Sequence, residues 1–413
     1  MRTHLQAMLL PALVAGWTTL ALAQPAQPGA DFPEGPAKSL VVPMCNACHD
    51  INRLKAGYTP EGWHTVMRMM QNMEVPLTPE QLPVVTDYLI KSFPERSRPP
   101  AAILDGAAKV EVRMFDVPTA GARPHDPLAA RDGSIWYTGQ LANRLGRVDP
   151  RTGAVKEFPL QRPHSGPHGL VEDRDGNIWF TGNNAGYIGK LDVRTGSATE
   201  YKLPDPAAKD PHTLVFDRDG MLWFTVQQAN MVGRLDPKTG AIRLVTVPTA
   251  KARPYGMAVD SRNVVYFVEF GANKVASIDR ATMQIREYPL PDPAARPRRI
   301  AIGPDDIVWY TDFARGYLGR LDPASGKVTE WMSPSGPKSE PYGIVFTKGA
   351  VWYSESFAKP NTLVRFDPTA GKFQTWAIPG GGDIVRNMDV TPEGNVALAN
   401  SLVNRVTLVQ IQQ

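Results

Sequence analysis

With 413 residues, 42% of them hydrophobic and 21% charged, the chain is long enough for two domains and too apolar to be disordered. Its formal charge of +4 is scattered, with no basic stripe interleaved with aromatics, which argues against a nucleic-acid partner. The 35 glycines and 39 prolines suit many short strands joined by tight turns.

The first residues read as a secretory signal. Arg2 precedes an apolar run from Met8 to Leu22, and Ala21-Leu22-Ala23 offers small residues for cleavage. Residues 1–23 are therefore predicted to be removed near Ala23, which places the mature chain in the periplasm. The competing reading is an uncleaved anchor, against which the run is short and interrupted. No other stretch approaches a membrane span, so no transmembrane segment is expected in the mature protein.

The two cysteines, Cys45 and Cys48, are followed directly by His49. C-x-x-C-H is the attachment signature of haem c: the two thiols bond the vinyl groups and the histidine lies under the iron. A thioredoxin-like redox pair would need a βαβ setting, whereas the flanks here read as helical. One helix is predicted from about Glu61 to Met73, with Trp63, Val66, Met67 and Met70 at helical spacing. A second starts at a capping box of Thr78 and Gln81 with Pro79 between, and turns Leu82, Val85, Leu89 and Phe93 inward, Tyr88 beside them. Pro83 falls just past its first turn.

Residues 38–93 resemble small cytochrome c domains, through Cys45 to His49, the run Trp63 to Met70, Pro76 to Glu80 and Tyr88-Leu89. That resemblance implies a small all-α domain with one covalent haem c, its iron held by His49 and a distal partner. Met67, Met69, Met70 and Met73 are the methionine candidates, and aligning Trp63 and Pro76-Leu77 with the pattern points to Met70. His64 is the alternative, as a second histidine ligand. The Pro-rich stretch 94–106 reads as the linker between two domains.

From residue 107 to 413 the chain repeats. Trp136, Trp179, Trp223, Tyr266, Trp309 and Trp352 lie 43 or 44 residues apart, and Pro124, Pro167, Pro211, Pro254, Pro297 and Pro341 recur in step. Each unit holds four short strands separated by turn residues, the pattern of a propeller blade. Six units are regular. A seventh, from about Asn387 to Gln410, lacks a fourth strand, which Lys109–Val117 is predicted to supply, closing the ring and removing its open edges. The fold class is thus mainly β: a seven-bladed β-propeller preceded by a small all-α cytochrome c-like domain.

The repeated P-x-G-I/L, W-F-T, A-N-x-I-G-R and E-Y-x-L-P units resemble the virginiamycin B lyase (streptogramin lyase) family over nearly the whole repeat region. The resemblance implies an elimination that opens a cyclic depsipeptide, with histidines after two late prolines and a magnesium ion held by glutamates. Those histidine positions carry Arg298 and Tyr342 here, while Glu340 and Glu355 stand at or near the metal-binding positions. The elimination thereby lacks its proton acceptor, unless Tyr342 were strongly acidified.

Another set of residues emerges instead. His125, His168 and His212 each follow the blade proline, so a propeller brings them to one mouth of its channel, with Tyr255, Arg298, Tyr342 and Asn387 completing the ring. Three imidazoles are a donor set for a divalent metal. The competing reading is a polar funnel of hydrogen-bonded histidines. Glu269, Asp312 and Glu355 end the second strands and are expected near the same mouth; Arg298 and Arg299 are a candidate anion contact, and His164 an exposed loop residue. Together these features predict electron transfer through one haem, with a redox partner protein and a propeller that binds a small molecule or partner. The alternatives are a haem-linked oxidoreductase with catalytic candidates His125, His168, His212 and Tyr342, or a lyase-like enzyme.

Overall fold

The computed structural model describes residues 28–47, 50–381 and 384–412. The secretory signal, Cys48 and His49 lie outside the described residues.

The N-terminal part holds three helices, α1 (Lys38–Asn46), α2 (Pro60–Asn72) and α3 (Gln81–Ser92), with a 3-10 turn at Ile51–Ala56. α2 starts where the Thr59 hydroxyl accepts the Gly62 N–H and Pro60 takes the first turn, one residue ahead of the sequence expectation. Thr78 and Gln81 exchange the two predicted capping bonds, at 3.1 and 3.3 Å, although the helix opens only at Gln81. Pro83 then falls in its first turn, where no helical N–H bond is lost. Trp63 is the centre of the core: it is fully buried, donates from Nε1 to the Phe93 carbonyl at 2.8 Å, and packs among Phe32, Val41, Ile51, Met67, Val85 and Leu89, with Cys45 at the edge. No helix among the described residues is long and apolar enough to cross a membrane.

The rest forms seven four-stranded antiparallel sheets. Six are continuous: residues 124–159, 167–202, 211–246, 254–289, 297–332 and 341–377. The seventh joins Val385–Val390, Val396–Asn400 and Arg405–Gln412 to Lys109–Asp116, which pairs antiparallel with Arg405–Gln412 from Lys109↔Gln412 to Asp116↔Arg405. The two ends of the repeat region thus share a blade, as the sequence predicts.

The repeated residues have distinct structural tasks. The second-strand aromatic packs within its blade against the fourth strand: Trp136 on Phe158, Trp179 on Tyr201, Trp309 on Trp331 and Trp352 on Trp376, with ring centroids 5.2 to 5.7 Å apart. The threonine two residues on joins blades. Thr138, Thr181, Thr225 and Thr311 accept an N–H from their own inner strand and donate to a carbonyl of the next, at His168, His212, Tyr255 and Tyr342.

The Pro-rich stretch is more than a spacer. Ala101 and Lys359 exchange backbone bonds through Lys359 N–H to the Pro99 carbonyl and Ala101 N–H to the Lys359 carbonyl. Leu104 pairs with Thr375, and the Gln374 side chain bonds both backbone groups of Ala108. It runs as a strap along the outer strand of blade six and covers that open edge.

Candidate functional site

Each inner strand is irregular at one place. In blade one Pro124 pairs with Gly139 and Pro127 with Tyr137, so His125 and Asp126 together face Thr138 alone. The same one-residue bulge follows Pro167, Pro211, Pro254, Pro297, Pro341 and Val385. An extra residue bends a strand and re-aims its side chains; here the first bulge residue of each blade forms one tier, and the second forms another in the four blades where it is not glycine. The first tier is His125, His168, His212, Tyr255, Arg298, Tyr342 and Arg386; the second includes Asp126, Thr213, Arg299 and Asn387.

This corrects one expectation. Val385 pairs with Asn400 as Pro124 pairs with Gly139, so Arg386, not Asn387, completes the first tier. Asn387 lies one step deeper and donates to Asp126 Oδ2 at 3.0 Å. Val385 replaces the proline in this degenerate blade, which removes the marker that fixes the register elsewhere.

The first tier packs as a column of rings. Centroid separations are 3.9 Å for His125–His168, 3.8 Å for His168–His212 and 4.0 Å for His212–Tyr255. The Tyr255 and Tyr342 hydroxyls share a hydrogen bond. Burial, reinforced by neighbouring arginines, and for His168 and His212 by the adjacent imidazoles, holds all three histidines well below the usual imidazole range, so they are neutral. Neighbouring imidazoles are tilted by 46–47°, and among the described residues His212 does not join the donor atoms that cluster within 4.8 Å. The nearest donor set is His125, Asp126 and His168, whose ligating atoms lie within 4.8 Å of one another. His125 Nδ1 is 2.7 Å and His168 Nδ1 4.0 Å from Asp126 Oδ1.

Arg299 occupies the other side of that carboxylate. Its Nη2 donates to both Asp126 oxygens at 3.1 and 3.3 Å, Nη1 donates to Thr213 at 3.0 Å, and Nε donates to the Arg386 carbonyl at 3.0 Å. One side chain from blade five thereby ties blades one, three and seven across the channel. Asp126 and the Arg386 position are the site residues that sequence reasoning missed. For Asp126 a signal existed, because it directly follows a ring histidine.

Arg298 sits in an aromatic box. Its guanidinium carbon lies 3.9 Å from the Tyr342 ring centroid, 4.1 Å from Phe313, 4.6 Å from Phe270 and 5.2 Å from Tyr255. Burial keeps the Tyr342 phenol above its ordinary range, so it supplies no base at neutral pH. Tyr255 is held below that range: burial opposes the shift, and Arg298 and Arg299 outweigh it.

The predicted acidic groups separate. Glu355 accepts from the Ser335 N–H and hydroxyl and from the Thr362 hydroxyl, and Asp312 from the Arg296 N–H while facing Arg315 at 3.1 Å. Both brace the loop that enters their own blade. Glu269 is fully buried with neither oxygen hydrogen-bonded; burial and nearby Glu287 push it up to about 8. Glu340 is half-buried at the mouth, raised by burial although Arg298, Arg96 and Arg98 surround it. His164 is exposed, as expected, and its Nε2 lies 3.3 Å from Glu74.

In the helical part Met67 and Met69 are buried, Met70 and Met73 half-buried and His64 exposed. This part rests on the propeller at the end where the inner strands begin. Asn72 donates to the Ala120 and Gly121 carbonyls, both at 3.1 Å; Glu74 meets His164; Arg96 and Arg98 lie over the Phe357 ring. A cleft of about 630 Å³ remains between the two, lined among others by Tyr58, Arg68, Arg98, Gly121 and Lys359.

Fold and site thus define a seven-bladed propeller whose inner strands carry a buried polar tier, capped at one mouth by a small helical unit. The chain belongs to the virginiamycin B lyase family, which matches residues 101–366. Among solved structures it is similar to a streptogramin B lyase, at 26% identity and TM-score 0.68 over 73% of this chain and 98% of that one. It is also similar to the virginiamycin B lyase of Staphylococcus aureus, at 24% identity and TM-score 0.67 over 73% and 99%. Hydrazine synthase of Kuenenia stuttgartiensis shares the fold, at 15% identity and TM-score 0.60 over 70% and 95%. No curated protein matches the chain.

Proposed function

We propose that this is a periplasmic c-type cytochrome for electron transfer, in which Cys45, Cys48 and His49 hold one haem c and the propeller binds a small molecule or partner at its capped mouth. The observations that support the reading are the C-x-x-C-H sequence at Cys45–His49 and the seating of the described helical part on loops at the propeller mouth, through Asn72, Glu74, Arg96 and Arg98. The donor set suits the group: two thiols and an imidazole at this spacing, with Cys45 near the end of α1 against the core of Trp63 and Met67. When bound, haem c would supply one-electron transfer, and a thioether ligand would raise its potential. Met70 would be the second protein ligand to the iron; it is half-exposed on α2, whereas Met67 is buried in the core. Trp63 and Phe93 keep α2 and α3 rigid around the site. Asn72 and Glu74 fix that unit to the propeller loops.

A lyase activity like that of the relatives is disfavoured by the geometry. The two family histidine positions hold a guanidinium boxed by aromatic rings and a phenol held above its ordinary range. Neither accepts a proton at neutral pH. The second reading is a haem-linked oxidoreductase acting on a ligand held by the tier, favoured by the burial of His125, His168 and His212 at the mouth that carries the helical part.

The test is expression in a periplasm with haem-maturation machinery, followed by reduced-minus-oxidised spectra and metal analysis. One covalent haem per chain, lost in Cys45→Ser and Cys48→Ser, is the expected result. A methionine-to-iron band abolished in Met70→Ala supports that ligand. A chain that matures without covalent haem overturns the proposal. A stoichiometric second metal lost in His125→Ala moves the assignment to a propeller-based enzyme.

A further inference from the structure

The two tiers hold an unbalanced charge. Arg298, Arg299 and Arg386 stand against Asp126, with half-buried Glu340, which burial raises, as the other carboxylate acting on Arg298, and the three histidines are neutral. Asp126 is already committed to Arg299, His125 and Asn387. Arg386 donates to the Ser401 hydroxyl at 2.7 Å, and Arg298 has no hydrogen bond at Nε. Among the described residues no carboxylate hydrogen-bonds to Arg298 or Arg386. A buried guanidinium with no carboxylate hydrogen-bonded to it is costly, and a bound anion lowers that cost.

The packing of Arg298 selects the kind of anion. Aromatic rings surround the guanidinium, with Tyr342 and Phe313 nearest. Hydrogen bonding is then left to the N–H groups along its edge, and that edge matches two oxygens lying in one plane. The Tyr255–Tyr342 hydroxyl pair lies against the same guanidinium. His168, 3% exposed in the same tier, keeps an unpartnered Nδ1.

A cation fits the same place poorly. To bind at His125, Asp126 and His168 it would displace Arg299 from Asp126, in a tier where His125 already feels Arg386, Arg123, Arg299 and Arg298. Like charges at this spacing in a buried site repel strongly.

We propose that Arg298, with Arg386 and the Tyr255–Tyr342 pair, forms a binding site for a small planar anion, a carboxylate or an inorganic oxyanion of the same shape. The proposal deepens the reading that the propeller mouth takes a small ligand, and it is independent of the haem.

Calorimetric titration of the full-length protein tests it, with acetate and oxalate as carboxylates, nitrate as the inorganic anion and acetamide as the neutral isostere of acetate. The expected result is binding of at least one anion, weakened by added salt and at least tenfold weaker in Arg298→Met, which retains bulk in the aromatic box. Arg386→Gln, at a half-exposed position, is expected to weaken the same anion with unfolding unchanged, which guards against misfolding of the first variant. Preference for oxalate over nitrate assigns the carboxylate source, and the reverse assigns the inorganic one. Binding of acetamide equal to that of acetate, indifferent to Arg298→Met, overturns the anion assignment and leaves a ligand-binding mouth. Absence of binding by every probe overturns the site, while covalent haem in the same preparation judges the electron-transfer reading separately.

Discussion

The Arg299 guanidinium meets the Asp126 carboxylate across the propeller channel, two charged groups 173 residues apart and both almost wholly buried. The pair links blade five to blade one, and through Thr213 and the Arg386 carbonyl it reaches blades three and seven. A propeller is held mainly by contacts between neighbouring blades, so a cross-channel tie constrains the ring as a whole.

Replacing one partner of that pair strands the other. Arg299→Met is expected to destabilise the propeller by about 3–5 kcal/mol, because Asp126 remains buried and uncompensated. Arg299→Met with Asp126→Asn should recover much of the loss. Urea denaturation followed by tryptophan fluorescence reads both, and a double variant no better than the single one refutes the account.

The inter-blade threonines make a second prediction. Thr181 accepts the Gly169 N–H at 2.8 Å and donates to the His212 carbonyl at 2.9 Å. Thr181→Val leaves both groups buried without partners and should cost about 1–3 kcal/mol. Thr181→Ser keeps the hydroxyl and should lose less than half of that in the same denaturation experiment.

Glu269 predicts a pH dependence. Burial, with Glu287 close by, pushes its carboxyl up from 4.5 to about 8. Between those values the folded chain binds a proton that the unfolded chain has released. Stability therefore falls as pH rises through that window, by at most about 1.4 kcal/mol per pH unit. Glu269→Gln removes the slope, so its stability relative to the original chain should climb from pH 5 to pH 8. A constant difference across that range would show that Glu269 does not carry the proton.

Trp63 anchors the helical part through its burial and its bond to the Phe93 carbonyl. Trp63→Ala is expected to cost that part about 3–5 kcal/mol. Calorimetry should show an early transition for the helices and an unchanged one for the propeller. A single transition shifted as a whole would instead mean that the strap along blade six couples the two into one cooperative unit.

The family positions at Arg298 and Tyr342 show how much of the site was legible. The recurring proline marks the start of each inner strand, so the sequence placed His125, His168, His212, Tyr255, Arg298 and Tyr342 at one mouth. It failed at the seventh blade, where Val385 replaces proline and the register shifted by one, from Asn387 to Arg386. The bonds that Glu355 accepts from Ser335 and Thr362 were not legible, because those residues lie 20 and 7 positions away with no pattern marking them. The Pro-rich connection at 94–106 is legible from its composition, whereas the bonds that tie it and the residues after it to Lys359, Gln374 and Thr375 are not.

By itself the sequence determined the repeat, the number of blades, the closure by Lys109–Asp116 and the residue that comes after each inner-strand proline. All of these stem from strand period and turn chemistry, which act over a few residues. Only the tertiary structure decided that the three imidazoles pack tilted against one another, that Arg299 reaches Asp126, that Asn387 reaches the same carboxylate 261 residues away, and that α2 rests on Ala120 and Gly121. Those relationships depend on the bulge that aims each side chain and on the radius of the closed ring, and neither is written in any local stretch of residues.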